Sequence, residues 1–138
     1  MNNKILEIIK TYEKPGDFTH VSVTESMIES AEMALEVKLP KQYIEFLKLF
    51  GHGGIAGIEV LGIGKTGRLI FVDTTLDYRE EGLLPNFVVI ENVDEWLMCL
   101  DCTTEKVVSW DFSGYIREDY TNFDEYLLEQ INNAVENI

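Results

Sequence analysis

The strongest secondary-structure signal in the chain lies in residues 39–54, which read LPKQYIEFLKLFGHGG. Five apolar side chains in this stretch follow the spacing of one face of an α-helix: Leu39, Tyr43, Phe46, Leu47 and Phe50. Pro40 suits the first turn, because the N–H that proline lacks has no intrahelical partner there. Gly51 suits the position after the last turn, where a left-handed backbone is common. The stretch therefore predicts an amphipathic helix with sharp ends.

Two further helices are predicted before this one. The first is marked by three isoleucines, Ile5, Ile8 and Ile9, and the pair Pro15-Gly16 would end it. The second begins near Ser22 or Thr24, because Ser22 has capping-box spacing to Glu25 and Thr24 is an alternative N-cap. Its apolar face consists of Ile28, Ala31 and Leu35.

After Gly54 the helical spacing gives way to short β-rich runs separated by turn residues. These runs predict strands over residues 58–63, 69–74, 87–91, 96–100 and 106–112, with hairpin turns over 64–67 and 101–105. Because no helix-length pattern separates most of the runs, the sheet should be largely antiparallel. A last helix is predicted from Asn122, which has capping-box spacing to Glu125. The order predicts an α+β fold in one domain over residues 1–138: N-terminal helices, a largely antiparallel sheet and a C-terminal helix.

The charge of the chain limits its partners. Asp and Glu number 25 against 11 Lys and Arg, which gives a formal net charge of −14. Such a surface repels nucleic-acid phosphates and anionic lipids and attracts basic proteins, so direct nucleic-acid or membrane binding is not expected. The N-terminus has no secretory apolar segment, and the two cysteines suggest a reducing compartment. We therefore expect a cytoplasmic protein.

Several motifs invite a catalytic or cofactor-binding interpretation. Residues 62–67 read GIGKTG and match the G-x-G-x-x-G of dinucleotide-binding folds, where a helix follows the glycines. Here the following residues read as a strand, so we interpret the motif as a glycine-rich turn. Cys99 and Cys102 form a C-x-x-C without a second cysteine pair, and His52 lies between glycines without a nucleophile. No catalytic residue, metal or cofactor is therefore predicted.

Two acidic clusters are the candidate partner-binding residues. Glu25, Glu29, Glu32 and Glu36 form a stripe along the second helix, which is either a solvated face or a docking surface for a basic protein. A second cluster falls on a predicted loop around Tyr78 and Arg79, and acids around an aromatic suit an interface. The predicted partner-binding residues are Glu25, Glu29, Glu32, Asp73, Asp77, Tyr78, Glu80 and Glu81.

The run from Ile28-Glu29 through Leu39-Pro40, Tyr43 and Phe46-Leu47 to Gly53-Gly54 resembles the opening signature of the SUKH superfamily. That superfamily includes the yeast Smi/Knr cell-wall regulators and many bacterial immunity proteins. The closing residues 123–127 are similar to its usual ending, although His52 stands where asparagine is common.

The resemblance implies an α+β fold and an immunity protein that blocks a cognate toxin, often a nuclease, stoichiometrically. It supplies no shared catalytic residues, and its motif positions are expected in the core and turns. Two alternatives remain open. One is a regulatory or adaptor module of the cell-wall-regulator kind. The other is a small enzyme or nucleotide binder that uses the loop at residues 62–67.

Overall fold

The computed structural model describes the whole chain, Met1–Ile138, and has five helices and one four-stranded sheet. The elements in chain order are α1 (Asn3–Tyr12), α2 (Glu25–Leu35), α3 (Lys41–Phe50), α4 (Ile70–Arg79), β1 (Phe87–Asn92), β2 (Leu97–Asp101), β3 (Val107–Trp110), β4 (Ile116–Tyr120) and α5 (Phe123–Glu136). This order confirms the predicted α+β class, with helices before the sheet and one helix after it.

The predicted helix starts are settled by side-chain caps. Thr24, not Ser22, is the N-cap of α2, and its hydroxyl accepts a hydrogen bond from Met27 N at 3.2 Å. Asn122 caps α5, because its side-chain oxygen accepts from Glu125 N at 2.9 Å. Each cap satisfies an amide that has no partner inside the helix.

The sheet is an antiparallel meander with the strand order β1-β2-β3-β4. Leu97 of β2, Trp110 of β3 and Ile116 of β4 pair across the strands, so these three side chains share one face. The β1 edge is covered, because Leu61 N donates to Ile90 O at 2.8 Å. At the other edge, β4 has no strand beyond it.

Two of the predicted strands are wrong. Residues 69–74 lie largely in α4, and residues 58–63 are an irregular segment with single bridges at Val60 and Ile63. A run such as Leu69 to Val72 favours a strand by propensity, but Phe71, Val72 and Thr75 share one buried helical face. Burial of that face therefore overrides the propensity. The turn at residues 64–67 is present, with Gly67 N bonded to Gly64 O at 2.9 Å, but no strands flank it.

The prediction missed β4. Its residues read IREDY, and three successive charged side chains suppress a strand signal. Charges are common on edge strands because they discourage further pairing, which explains why this strand escaped a hydrophobic pattern.

The core is one continuous cluster of 33 buried hydrophobic residues. Leu39, Tyr43, Phe46 and Leu47 are buried in it, as the motif predicted. Tyr43 lies against the rings of Phe46, Phe71 and Phe123, and its hydroxyl donates to Leu61 O at 2.6 Å. None of the five helices has the length and apolar character needed to cross a bilayer.

Candidate functional site

The second acidic cluster lies on a helix, so the predicted loop is wrong. Asp73 and Asp77 are in α4, Glu80 is its C-cap, and Glu81 follows. These positions are four, seven and eight residues apart from the first, so they occupy one side of the helix, opposite the buried Phe71, Val72 and Thr75. All four carboxylates are exposed. We call Asp73, Asp77, Glu80 and Glu81 the α4 acidic face.

The α4 acidic face is poorly neutralised. Asp73 pairs with Arg68, whose Nε lies 2.9 Å from Asp73 Oδ2, but Asp77, Glu80 and Glu81 take part in none of the salt bridges. Those three lie at the C-terminal end of α4, where the helix dipole disfavours negative charge. Neither an ion pair nor the helix dipole therefore stabilises these three carboxylates.

Tyr78 and Arg79, beside these acids, are held by the fold. Tyr78 is half-buried, its ring centroid lies 5.7 Å from that of Phe112, and its hydroxyl accepts from Asn92 Nδ2 at 3.2 Å. Arg79 donates to Leu35 O at 2.9 Å and to Pro85 O at 2.7 Å. Arg79 thus ties the end of α4 to the end of α2 and to the loop before β1.

The α2 stripe is less uniform than its sequence spacing. Glu25 pairs with Lys48 of α3, whereas Glu29 and Glu36 have no ion pair. Glu32 is largely buried, and its Oε2 accepts from Leu39 N at 2.8 Å. The bond from Glu32 stabilises the turn between α2 and α3, which is a sufficient structural reason for that carboxylate.

The structure does not join the two acidic clusters into one. Glu25 and Glu32 face α3 through their bonds to Lys48 and Leu39. In contrast, the C-terminal end of α4 meets that of α2, where Arg79 donates to Leu35 O at 2.9 Å. No hydrogen bond or ion pair links a carboxylate of one cluster to the other. The eight predicted partner-binding residues therefore belong to two helices and the turn that follows α4, and the carboxylates of the α4 acidic face are the less compensated.

The reason for rejecting the glycine motif is wrong, because α4 does begin three residues after Gly67. The first amides of α4 are nevertheless occupied: Phe71 N donates to Gly62 O at 3.3 Å, and Asp73 N to Leu69 O at 3.1 Å. A Cβ at Gly62 would lie 1.8 Å from Gly51 O, so packing alone requires this glycine. The motif thus has a structural explanation, and the absence of a cofactor stays a prediction.

The cysteines and His52 are also accounted for by the fold. Burial raises the pKa of the Cys102 thiol to about 12 and raises that of Cys99 as well, so neither supplies a thiolate at neutral pH. His52 Nδ1 accepts from Gly62 N at 2.9 Å, which holds the glycine loop in place. No three His, Cys, Asp or Glu side chains converge into a metal-binding group.

A third surface was not predicted from the sequence. The end of the sheet at the β3–β4 turn carries four exposed apolar side chains: Trp96 (40% exposed), Phe112 (52%), Tyr115 (64%) and Ile116 (40%). A shallow cleft of about 230 Å³ opens there between Trp96 and Tyr115. The available signal was two aromatic residues around the turn at Gly114, where a solvent-exposed turn would ordinarily be polar.

The fold and these surfaces define a class: an acidic α+β protein whose exposed side chains suit contacts with another molecule. A family model described as SUKH_5, SMI1-KNR4 cell-wall, matches residues 3–132. The chain belongs to this SMI1-KNR4 family, which confirms the resemblance seen in residues 28–54 and 123–127.

Proposed function

We propose that this protein is an immunity protein, which binds a cognate bacterial toxin and neutralises it by stoichiometric occlusion. The α4 acidic face carries the proposal, because three of its carboxylates lie without ion pairs at the end of a helix whose dipole opposes them. Carboxylates that folding does not need are suited to contact a basic partner. The net charge of −14 adds a long-range attraction for the same partner.

The proposed toxin is a nuclease domain with a basic groove for phosphates. Exposed carboxylates on a rigid helix can occupy such a groove in place of phosphates. Opposite potentials also accelerate association, which matters when an enzyme must be silenced before it acts. The protein would do this in the cytoplasm, as one domain, without catalysis and without touching nucleic acid itself.

The structural roles of the candidate reactive groups support a function that does not involve catalysis. The thiols of Cys99 and Cys102 are protonated, and His52 Nδ1 accepts a hydrogen bond from Gly62 N. Gly62 is required by packing, and Gly67 has a φ of 86°. A thermal-shift experiment with common nucleotides tests the alternative of a nucleotide binder. A clear rise in melting temperature with any of them would contradict the proposal, because ligand at 100 times its Kd adds about 2.7 kcal/mol.

The binding proposal is tested by affinity capture of the tagged protein from host lysate, washed at low and at high salt. We expect mass spectrometry to identify a basic protein with a toxic C-terminal domain, retained at low salt and depleted at high salt. Co-expression should then restore the growth that the toxic domain arrests. Growth arrest that persists despite stable co-expression would contradict the proposal.

A regulatory module is the second candidate, because the description of the matching family names the cell wall. Deletion of the gene distinguishes the two. An immunity protein is dispensable when its toxin is absent, whereas a regulator leaves a growth or envelope phenotype of its own.

A further inference from the structure

The side chain of Phe112 is exposed to solvent and packs against two other aromatic rings. Its ring centroid lies 5.2 Å from that of Trp110, which is buried, and 5.7 Å from that of Tyr78 on α4. Ile116 pairs with Trp110 across β3 and β4, so it lies on the same face of the sheet. Phe112 and Ile116 are 52% and 40% exposed, respectively. We call Phe112, Ile116 and Tyr78 the Phe112 patch.

The turn that carries Phe112 is held in one conformation. Asp111 Oδ1 accepts hydrogen bonds from Ser113 N at 2.9 Å and from Tyr115 N at 3.3 Å. The Ser113 hydroxyl also donates to Asp111 Oδ1, and this bond, followed by the two backbone bonds, lowers the pKa of Asp111 below its usual value. A preformed turn loses little entropy when a partner binds, which favours its use as an anchor.

The α4 acidic face borders the Phe112 patch. Glu81 follows Tyr78 by three residues, and Glu81 N donates to Tyr78 O at 2.9 Å, so the two side chains are neighbours at the end of α4. The ring of Tyr78 lies against that of Phe112, and the exposed carboxylate of Glu81 follows Tyr78 at the end of the helix. The result is an apolar centre with an acidic rim, the arrangement found in protein–protein interfaces.

We propose that the Phe112 patch is the apolar centre of the partner interface and that its occupant is a basic protein with an apolar pocket bordered by lysine or arginine. The inference rests on the proposed function and adds the place of contact and the shape of the partner. Charge complementarity selects this occupant. A second copy of the chain would bring two charges of −14 together, and phosphates or anionic lipids would meet the same repulsion.

The test places the photo-crosslinker p-benzoyl-phenylalanine at position 112 of the full chain in its host, with a control chain that carries it at Leu49. Leu49 is 46% exposed and lies on α3, away from the patch. We expect an adduct from position 112 and none from position 49. The cross-linked protein should be basic, with Lys or Arg adjacent to the linked peptide.

Affinity capture with single substitutions completes the test. Phe112→Ala should reduce retention of the same protein about tenfold or more, as expected for an anchoring aromatic, whereas Leu49→Ala should leave retention unchanged. Circular dichroism checks that both variants fold.

The outcomes separate the two proposals. A basic toxin that is captured, but cross-links only from position 49 or is retained equally by Phe112→Ala, overturns the patch and leaves the immunity proposal standing. An adduct with a second copy of the chain, or with a protein that is not basic, overturns the proposed occupant. No partner in either experiment contradicts both proposals.

Discussion

Thr75 shows how one buried polar side chain fixes the position of α4. It is fully buried, its hydroxyl donates to Phe71 O at 2.7 Å within the helix, and it accepts from Val89 N of β1 at 2.9 Å. The second bond satisfies an amide on the outer side of β1 that has no neighbouring strand. A single hydroxyl therefore connects α4 to the sheet on which the Phe112 patch is built.

Replacing Thr75 with valine should destabilise the protein. The variant keeps the shape of the side chain but leaves Val89 N buried without a partner, which costs about 1–3 kcal/mol of unfolding free energy. Urea denaturation measures the difference. The matched control is Thr74→Val, one position earlier on the same helix, where the side chain makes no hydrogen bond and the change should stay within about 0.5 kcal/mol. Equal effects of the two substitutions would argue against the role of the Thr75 bond.

Glu91 is a partly buried carboxylate whose ionisation opposes folding. Burial is the largest influence on it and raises its pKa, although the hydroxyl of Tyr126 donates to Glu91 Oε1 at 2.6 Å and acts in the opposite direction. The folded state therefore holds the proton to higher pH than the unfolded state. Stability from this group is present at low pH and is lost as pH rises from the unfolded pKa through the folded pKa.

The substitution Glu91→Gln should remove this pH dependence, because glutamine has no proton to lose and its oxygen can still accept from Tyr126. The unfolding free energy of the variant relative to wild type should thus increase as pH rises from the ordinary glutamate pKa of about 4.3 towards neutral pH. Urea denaturation at several pH values measures it, with the exposed Glu95→Gln as the control for loss of a charge. A relative stability that falls over this range would contradict the assignment.

At the scale of elements, two carboxylates lie at the start of α5 and three lie at the end of α4. Asp124 and Glu125 lie in the first turn of α5, where negative charge is stabilised by the helix dipole. Asp77 and the residues that follow lie at the C-terminal end of α4, where it is not. The acids of α5 therefore have a structural reason that those at the end of α4 lack.

Neutralising the end of α4 should raise stability while it weakens partner capture. Each of Asp77→Asn and Glu81→Gln removes an unfavourable charge, for an expected gain of about 0.3–1 kcal/mol in urea denaturation. Glu125→Gln is the matched control, and it should lose a similar amount because it removes a favourable charge at a helix start. A loss of stability in the α4 variants would mean that these carboxylates serve folding.

At the scale of the whole molecule, the excess of 25 acidic over 11 basic residues dominates the electrostatics. Exposed ion pairs such as Lys106–Glu118 offset little of this repulsion, since such pairs contribute little in water. Repulsion among the negative charges therefore destabilises the folded state, and added salt screens this repulsion.

The melting temperature should accordingly rise when sodium chloride is increased from about 0.02 to 0.5 M, since this shortens the screening length from about 20 Å to about 4 Å. Differential scanning fluorimetry measures the shift, and sucrose at matched osmolality controls for effects unrelated to charge. The same salt increase should weaken capture of the basic partner. A melting temperature that falls with salt would show that attractive ion pairs outweigh the net repulsion.

The sequence by itself determined the class of fold, three of the four strands, and four of the five helices. Those features depend on short-range physics: helical spacing in residues 39–50, side-chain caps at Thr24 and Asn122, and the turn over residues 101–105. It also determined the charge of the surface, because acidic side chains remain in water in almost any fold.

Only the tertiary structure decided that residues 70–79 form a helix, that β4 closes the sheet, and that Phe112 stands on Trp110 and Tyr78. The β-rich run that begins at Leu69 forms α4 because one face of that helix is buried against β1. The charged run IREDY forms β4, which is possible because that strand lies at the edge of the sheet. Likewise, Glu32 is largely buried and does not belong to the predicted exposed stripe, because its carboxylate accepts a hydrogen bond from Leu39 N. Burial and hydrogen-bond satisfaction act between residues far apart in sequence, so local spacing does not contain them.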